Sequence, residues 1–249
     1  MDLDRYVPRT LDFSTVFNLR DLGGHATTDG HRVRTGVLYR ADALFRLAGA
    51  DLERFAALNI RGVLDLRRPD ELASDGRVPE LPGMLYHNVN LQQNNWTSAV
   101  VSADQMAGYL ADRYTEMADE ALASGAMAAA LSFLVSSPGP TIFHCMAGKD
   151  RTGVVAALTL VLLGVPDETV AADYAASQWS EGRYLAWRAA ARPDLPDLPA
   201  PGNSCPPEAI LTFLDRLRAQ YGSVAGYVER TGLDGEFRDE LRGRLLGDG

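Results

Sequence analysis

The sequence predicts an α/β fold in which helices flank a mostly parallel central sheet. Short apolar or β-branched runs alternate with helical stretches along the chain, which is the pattern of parallel strands joined by helices. Residues 60–66 (IRGVLDL) form a short, largely apolar run followed by charge, as expected of a strand buried on both faces. Residues 154–163 are apolar on nearly every side and too short to span a bilayer, so they predict a core helix.

The first part of the chain is predicted to be β structure. Residues 16–19 are mostly apolar and are expected to be extended, and Gly23-Gly24 allows a sharp change of direction. Asp29-Gly30 is a hairpin turn signal that leads into HRVRTGVLYR. A short helix over residues 50–58 then precedes the 60–66 strand, and residues 84–91 predict another strand.

The second part is predicted to be mainly helical. Residues 103–135 have a helical pattern broken near Ser124-Gly125, and a turn at 136–140 leads into a strand at 141–144. The core helix stops at Gly164 and Pro166, and a second helical region covers 167–191. After a proline-rich connection at 192–207, amphipathic helices at 208–221 and 235–246 are among those that finish the chain. We expect one domain, residues 1–249, with a helical C-terminal part.

Net charge, cysteine and histidine content and the length of apolar runs exclude several classes of partner, cofactor and location. The formal net charge of −9 argues against nucleic acid as a partner. Two cysteines make no disulfide framework, and the four histidines lack the spacing of metal ligands, so neither a metal nor another cofactor is expected. There is no apolar run of about 20 residues and no signal-peptide pattern. We expect no integral membrane segment and a cytoplasmic location, with export by a route that lacks such a signal left open.

Residues 144–153 (HCMAGKDRTG) carry the chemistry. Cys145 follows a predicted strand and precedes a helix, whose unpaired N–H groups and dipole favour a bound anion and a thiolate. Arg151 follows after five intervening residues, so the loop can curl until the guanidinium faces the sulfur across a tetrahedral anion. Thr152 places a hydroxyl near the sulfur. The remaining phosphate-binding residues expected in this loop are Met146, Ala147, Gly148 and Lys149.

This loop resembles the Cys-x5-Arg signature of the cysteine-based protein tyrosine phosphatases. NLRDLGG, VLYRADAL, VLDLRRPDE and YGSVAGYVERTGL are similar to segments of the bacterial tyrosine phosphatases of the mycobacterial PtpB and Listeria LipA type, over nearly the whole chain. The resemblance implies hydrolysis of phosphotyrosine, often also of phosphoserine, phosphothreonine and phosphoinositides. The Gly-Lys pair is also similar to that of some eukaryotic 3-phosphoinositide phosphatases, which have a small residue where this chain has Asp150.

Two carboxylates compete for the role of general acid. The region after the 84–91 strand reads LQQNNW and offers no carboxylate, while Asp104 and Asp112 lie in a stretch that looks helical. Asp150, inside the loop, is the preferred acid, and resemblance to the bacterial family favours it; its other interpretation is a carboxylate that stabilises the helix dipole. Asp65, at the end of VLDLR, is the runner-up and is more readily interpreted as a support for the loop.

Four further residues are candidates for supporting the loop or the substrate. His144 is expected to order the loop by hydrogen bonding. Lys149 either contacts extra phosphates, raises the local potential, or is an ordinary surface lysine. Arg20 and Asp21 in NLRDLGG are expected to brace the fold, and the family match places them near the active site.

A helical lid is a further hypothesis, because the family often carries one over its pocket. Trp179, Arg183 and Trp187 recur every four residues and share one helical face within residues 177–191. Core packing is the competing interpretation of that stripe. Cys205 has no arginine at the signature spacing and is treated as incidental.

Together these residues predict a phosphatase that acts through a phosphocysteine intermediate. Cys145 is the nucleophile, Arg151 holds the phosphate and Asp150 protonates the leaving group. Its partner would be a phosphorylated protein or a phosphoinositide. The alternatives are a lipid phosphatase that prefers phosphoinositides, a non-catalytic phosphate-binding module and a rhodanese-like sulfurtransferase.

Overall fold

The computed structural model describes residues 6–93, 96, 101–191 and 204–247. Its strands are β1 (Arg9–Thr10), β2 (Arg20–Asp21), β3 (Arg32–Val33), β4 (Leu38–Ala41), β5 (Gly62–Asp65), β6 (Leu85–Asn88), β7 (Thr141–His144) and β8 (Leu246–Gly247). Six of them form one sheet in the order β1, β2, β4, β7, β5, β6. β3 and β8 form a separate two-stranded sheet.

The four strands from β4 to β6 run parallel, and the short β1 and β2 add an antiparallel edge. This confirms the mostly parallel sheet. β7 lies in the middle, with His144 opposite Ala41 of β4 and Asp65 of β5. The chain therefore leaves three neighbouring strands at one edge of the sheet, where ligands of open α/β sheets bind.

Side chains alternate along the central strands between two cores, because successive residues of a strand point to opposite faces. One face packs into the larger core, together with the helices of the second part of the chain, through Leu38, Leu64 and Phe143. The other face packs into a smaller core with Phe55 through Tyr39, Val63 and Ile142.

The helices surround this sheet. Their bounds are α1 (Gly49–Ala57), α2 (Pro69–Asp75), α3 (Met106–Ala123), α4 (Ala126–Ser136), α5 (Asp150–Leu162), α6 (Asp167–Ala175), α7 (Trp179–Ala191), α8 (Pro207–Tyr221), α9 (Val224–Arg230) and α10 (Gly235–Leu245). Nearly every residue of α5 is buried, which confirms the core helix. Within the described residues no single helix is long and apolar enough to cross a membrane; α3 and α4 reach that length and composition only as a pair, which is bent by 82°.

Three of the predicted elements differ in the structure. Residues 16–19 are not a strand, because the N–H groups of Phe17 and Asn18 donate to the Asp42 carboxylate instead of to a neighbouring strand. The 167–191 region is two helices, α6 and α7, separated by a 3-10 turn at Ala176–Gln178. β3, which follows the Asp29-Gly30 turn, pairs mainly with the C-terminal β8. Most of the proline-rich connection, residues 192–203, lies outside the described residues.

Candidate active site

The cysteine loop, residues 145–149, joins the carboxyl end of the central β7 to the first turn of α5. Cys145 is only 2% exposed. Arg151, one residue into α5, is almost as buried. The predicted strand, loop and helix are thus present in that order, with Cys145 and Arg151 at the sheet edge where three parallel strands end.

Hydrogen bonds to the outer side of this loop hold its carbonyl groups. The Met146 carbonyl accepts from the Ala43 N–H at 3.0 Å, and the Ala147 carbonyl accepts from Asn18 Nδ2 at 3.0 Å. The Gly148 carbonyl accepts from Asn18 Nδ2 at 3.1 Å and from Arg40 Nη2 at 2.8 Å. His144 Nδ1 lies 3.2 Å from the Cys145 carbonyl oxygen and donates to it.

The backbone N–H groups of the loop are directed away from these contacts. In a planar trans peptide the N–H points opposite to the carbonyl, so fixing three successive carbonyls also fixes the direction of the N–H groups that follow them. Among the described residues, no group accepts a hydrogen bond from two of these N–H groups, those of Ala147 and Gly148. Such a loop at a helix N-terminus suits an anion.

Gly148 is required by the shape of the loop. Its φ is +65°, in the left-handed region that favours glycine. A Cβ there would lie 2.5 Å from the carbonyl oxygen of Ala41. The loop and β4 therefore approach so closely at this point that any side chain would push them apart.

Arg151 is held by a carboxylate that the sequence analysis did not single out. Its Nη1 and Nη2 lie 2.5 and 2.9 Å from the two carboxylate oxygens of Glu71, at the start of α2. Burial alone would raise the pKa of Glu71, but the hydrogen bond and charge of Arg151 bring that pKa below its usual value. This two-pronged contact fixes the plane of the guanidinium. The only sequence signal was the VLDLRRPDE segment itself.

Asp150 is the first residue of α5, and its carboxylate is partly open to solvent, with 25% of the side chain exposed. The Tyr114 hydroxyl donates to its Oδ1 at 2.7 Å, and Lys149 Nζ lies 3.7 Å from the same oxygen. The Tyr114 oxygen is also 2.6 Å from that of Tyr174, and burial raises the pKa of Tyr114 well above its usual value. The buried tyrosine therefore orients one oxygen of the Asp150 carboxylate.

Asp65 occupies a different environment. Its side chain is completely buried, pairs with Arg67 at 2.7 Å and accepts from the Tyr86 hydroxyl at 3.0 Å. Burial would raise the pKa of Asp65, but the charge and hydrogen bonds of Arg67 help to hold it below its usual value. Its carboxylate lies 3.5 Å from His144 Nε2, next to the residue that precedes the nucleophile. This placement suits a support for the loop better than a group that exchanges protons with substrate.

The structure separates the two residues of the Arg20-Asp21 pair. Arg20 is buried beneath the loop, with its Nε 2.8 Å from Asp173. The Asp21 carboxylate accepts from the N–H groups of Gly23 and Gly36 at 2.7 Å each and has no contact with the cysteine loop among the described residues. Asp21 therefore braces the backbone at Gly23 and Gly36, on the side of the strand away from Arg20, because neighbouring residues of a strand face opposite sides.

The other candidates also have definite positions. The Thr152 hydroxyl is buried without a hydrogen-bond partner among the described residues, one residue after Arg151. Asp112 is on α3 and pairs with Arg216 at 2.7 Å, while Asp104 lies in the turn before α3. Burial raises the pKa of Cys205 to about 12, so its thiol stays protonated at neutral pH.

A cavity of about 190 Å³ lies between the cysteine loop and α7. From the loop side it is lined by Met146, Ala147 and Lys149, and from the α7 side by Ser177, Ser180, Glu181 and Tyr184, with Phe17 and Asp42 completing the wall. Burial lowers the pKa of Lys149, but the surrounding acidic groups, Asp150 first and Glu181 among the others, raise it overall. The cavity therefore contains a cation beside the loop.

α7 is attached over this cavity by aromatic contacts. Tyr184 and Trp187 both contact the ring of Phe17, at centroid distances of 5.9 and 5.7 Å, and the Arg46 guanidinium lies 5.2 Å from the Trp187 ring. Arg183 donates to Asp12 at 3.1 Å, whereas Trp179 is 58% exposed. The three residues predicted to share one helical face therefore do not act together. Trp187 packs against Phe17 with Tyr184, which the sequence analysis did not single out, and Trp179 does not take part in this contact.

Residues 11–247 match the tyrosine phosphatase family. This chain belongs to that family. A protein of Cupriavidus necator named as a candidate tyrosine-protein phosphatase is 32% identical over 263 residues, covering 95% of this chain and 88% of that protein. The triple specificity protein phosphatase PtpB of Mycobacterium tuberculosis is 27% identical, over 93% of this chain and 97% of its own length.

A third relative agrees with this assignment. The tyrosine-protein phosphatase of Nostoc commune is 28% identical to this tyrosine phosphatase, over 83% of this chain and 73% of its own length. The match to the family confirms the resemblance that the sequence motifs indicated and the assignment of the chain as a protein tyrosine phosphatase. In the described part of this phosphatase, no group of three or more histidine, cysteine, aspartate or glutamate residues is arranged to hold a metal ion.

Proposed function

We propose that this tyrosine phosphatase hydrolyses phosphate monoesters through a covalent intermediate on Cys145. The Cys145 thiolate attacks phosphorus, the bond from phosphorus to the ester oxygen breaks, and Asp150 gives its proton to that oxygen. A water molecule then attacks the phosphocysteine, Asp150 takes a proton from it, and inorganic phosphate and the thiolate are released. The observation that carries this proposal is the arrangement of Cys145 and the inward N–H groups on the cysteine loop, with Arg151 held by Glu71 in the first turn of α5.

Asp150 is the acid that the contacts favour. The Tyr114 hydroxyl holds one carboxylate oxygen, and the side chain keeps an exposed surface beside the loop. A phosphate dianion next to a carboxylate favours the protonated acid, because two like charges repel one another. The buried ion pair of Asp65 with Arg67 leaves that carboxylate no proton to give.

We propose that the substrates extend beyond phosphotyrosine to phosphoserine, phosphothreonine and phosphoinositides. The name of the mycobacterial relative, a triple specificity phosphatase, supports this breadth. The charged Lys149 beside the 190 Å³ cavity supports a second phosphate group in particular. Asp42 and Glu181 line the same cavity, and their carboxylates would repel a second phosphate group. A preference for phosphoinositides over phosphotyrosine is therefore the second candidate.

We propose in addition that α7 and Ser177, within residues 177–191, act as a lid over the site. Four of these residues line the cavity beside the loop, and the helix is attached through Tyr184 and Trp187. None of the residues of α7 is fully buried, so core packing does not account for its position. Opening of this helix would admit a substrate that is larger than the cavity.

The test is phosphate release from phosphotyrosine, phosphoserine and phosphothreonine peptides and from a phosphoinositide panel, with Cys145→Ser as the control. We expect release from phosphotyrosine peptides that disappears in the variant, and activity in the presence of a chelator. The ratio of kcat/KM between peptides and lipids decides between the two substrate preferences. Phosphate binding without release would support the binding module, and thiocyanate formed from thiosulfate and cyanide would support the sulfurtransferase.

A further inference from the structure

We propose that Asp173, Arg20, Arg40 and Asn18 form a positioning network that turns the N–H groups of the cysteine loop toward the bound phosphate. This inference rests on the proposed function of the loop. The network lies on the outer side of the loop. Arg40 belongs to the VLYRADAL segment, whereas Asp173 lies outside every segment that the sequence analysis quotes.

Asp173 is the centre of the network. It lies on α6, is 1% exposed, and pairs with Arg20 Nε at 2.8 Å and with Arg40 Nη1 at 2.5 Å. Its backbone carbonyl accepts from Arg20 Nη2 at 2.7 Å. Burial would raise the pKa of Asp173, but the two guanidinium groups hold it well below its usual value. The carboxylate is therefore charged and fixes both arginines.

Each arginine then acts on the loop. Arg40 donates directly to the Gly148 carbonyl at 2.8 Å. Arg20 donates to the side-chain oxygen of Asn18, which leaves the Asn18 amide nitrogen to donate to the carbonyls of Ala147 and Gly148. Both routes begin at Asp173 and end at consecutive carbonyls of the loop.

The orientation of these peptides decides where the N–H groups point. Holding the Ala147 carbonyl outward directs the Gly148 N–H to the opposite side, and holding the Gly148 carbonyl outward does the same for the Lys149 N–H. Without these contacts the two peptide units could rotate, and a carbonyl dipole facing phosphate would repel it. Preorganised donors of this kind stabilise developing charge without reorganising during the reaction.

The charge of the network adds to this effect. Two guanidinium groups and one carboxylate leave a net positive charge beneath the loop, in a region where the side chains are at most about 3% exposed. A buried charge is weakly screened, so it favours an anion on the other side of a thin loop.

The experiment measures binding of inorganic phosphate through its protection of Cys145 from iodoacetamide, together with kcat and KM on a phosphotyrosine peptide. Asn18→Ala removes the amide donors without creating a buried charge, and Asp173→Asn releases both arginines. Asp167→Asn is the matched control, because Asp167 is on the same helix and pairs with Arg218 at 2.7 Å, away from the loop. Circular dichroism and thermal melts show which variants are folded at the assay temperature.

We expect Asn18→Ala to bind phosphate about 10- to 100-fold more weakly and to lose a similar factor in kcat, the scale of misdirected or missing donors. Asp173→Asn should do the same where it folds, and Asp167→Asn should match the wild type. If Asn18→Ala is folded and keeps the wild-type phosphate affinity and kcat, the inference is wrong, whatever Asp173→Asn does.

The two proposals fail in different ways. A wild-type chain that phosphate does not protect and that releases none would overturn the proposed function and this inference with it. A wild type that phosphate protects, beside an unaltered Asn18→Ala variant, would overturn the inference alone. Loss of thermal stability in Asn18→Ala without a change in phosphate affinity would likewise assign the network a purely structural role.

Discussion

The two sides of the cysteine loop are built from different interactions. On the outer side, buried charged groups such as Asp173 and Arg40 make short hydrogen bonds to fixed partners. On the cavity side, α7 covers the loop without burying any of its residues completely, and it is attached mainly through aromatic rings and the Arg46 guanidinium. Ser177 belongs to both regions, because its hydroxyl accepts from Arg20 at 3.2 Å and its residue lines the cavity.

This difference suggests that one side of the loop controls its conformation and the other controls access to Cys145. Breaking a buried ion pair by removing one partner costs about 3–5 kcal/mol, whereas an aromatic pair or a cation–π contact contributes about 0.5–2 kcal/mol. The outer side is therefore suited to hold the loop in one conformation, and the α7 side is suited to open. Changes beneath and within the loop should alter the chemistry, and changes in α7 should alter how easily reagents reach Cys145.

The largest effect is expected for Asp150→Asn, at the residue that follows the cysteine loop. Loss of the general acid should lower kcat on a phosphotyrosine peptide by about 10²- to 10⁴-fold, the usual contribution of proton transfer. Nitrophenyl phosphate, whose leaving group needs less protonation, should lose much less. Steady-state kinetics with both substrates measures this dependence on the leaving group.

Asp65→Asn is the comparison for that experiment. Because Asp65 supports the loop through Arg67 and lies near His144, its loss should lower the rates for both substrates by a similar factor. If Asp65→Asn loses more activity on the phosphotyrosine peptide than on nitrophenyl phosphate and Asp150→Asn does not, Asp65 is the general acid and Asp150 is the support. Full activity of Asp150→Asn on phosphotyrosine would exclude Asp150 as the acid.

Glu71→Gln should have an intermediate effect. The amide keeps the shape of Glu71 but loses the charge and one of the two acceptors that align Arg151. A misplaced guanidinium should raise KM and lower kcat/KM by about 10-fold. Asp70→Asn is the matched control on the same helix, since its exposed carboxylate pairs with Arg68 instead. Equal kinetics of the two variants would show that Arg151 does not need Glu71.

The strands, the core helix and the position of Cys145 could be predicted because each depends on local sequence. Residues 141–144 are mostly β-branched or aromatic, residues 154–163 are apolar on nearly every side, and the Cys-x5-Arg spacing is complete within residues 145–151. The opposite placement of Arg20 and Asp21 could also have been predicted, because alternation along a strand separates neighbours.

The partners of the loop could not be predicted in this way. Tyr114 is 36 residues from Asp150, and Asp173 is 133 residues from Arg40, so only the tertiary fold brings them together. No periodicity marks a buried aspartate in ADYA as different from any other helical aspartate. The strand prediction for residues 16–19 was wrong for a similar reason. The Asp42 carboxylate, 25 residues from Phe17, accepts the hydrogen bonds that a neighbouring strand would otherwise have accepted.

On the α7 side, Trp187→Ala should increase the rate at which hydrogen peroxide inactivates the enzyme. Removing the ring deletes contacts with Phe17 and Arg46, which lie outside α7 and favour its closed position. A loss of about 1 kcal/mol corresponds to roughly a 3- to 10-fold faster inactivation. Trp179→Ala is the control, because that ring is 58% exposed on the same helix. Identical inactivation rates for both variants and the wild type would remove the evidence for a lid.

The smallest effect concerns the pH dependence of stability on the outer side of the loop. Burial, with a smaller contribution from Arg67, lowers the pKa of His144, although Asp65 opposes this. The native state therefore keeps His144 neutral while the unfolded chain binds a proton near pH 6.5. The stabilisation is present above that pH and is lost as the pH falls through the native pKa. If the pKa of His144 is lower by one in the native state than in the unfolded chain, the full loss in the free energy of unfolding at low pH is about 1.4 kcal/mol.

Thermal melts at pH 7.5 and 5.5 measure this contribution. Each 1 kcal/mol should move the Tm of a chain of this size by about 2–4 °C, so His144→Asn should show a smaller fall in Tm between the two pH values than the wild type. His31→Asn, at an exposed position, should fall as the wild type does. If His144→Asn falls as steeply as the wild type, the buried charges beneath the loop do not include a proton-sensitive histidine. The pH dependence would then have to be sought in other groups, such as His25, whose pKa burial also lowers.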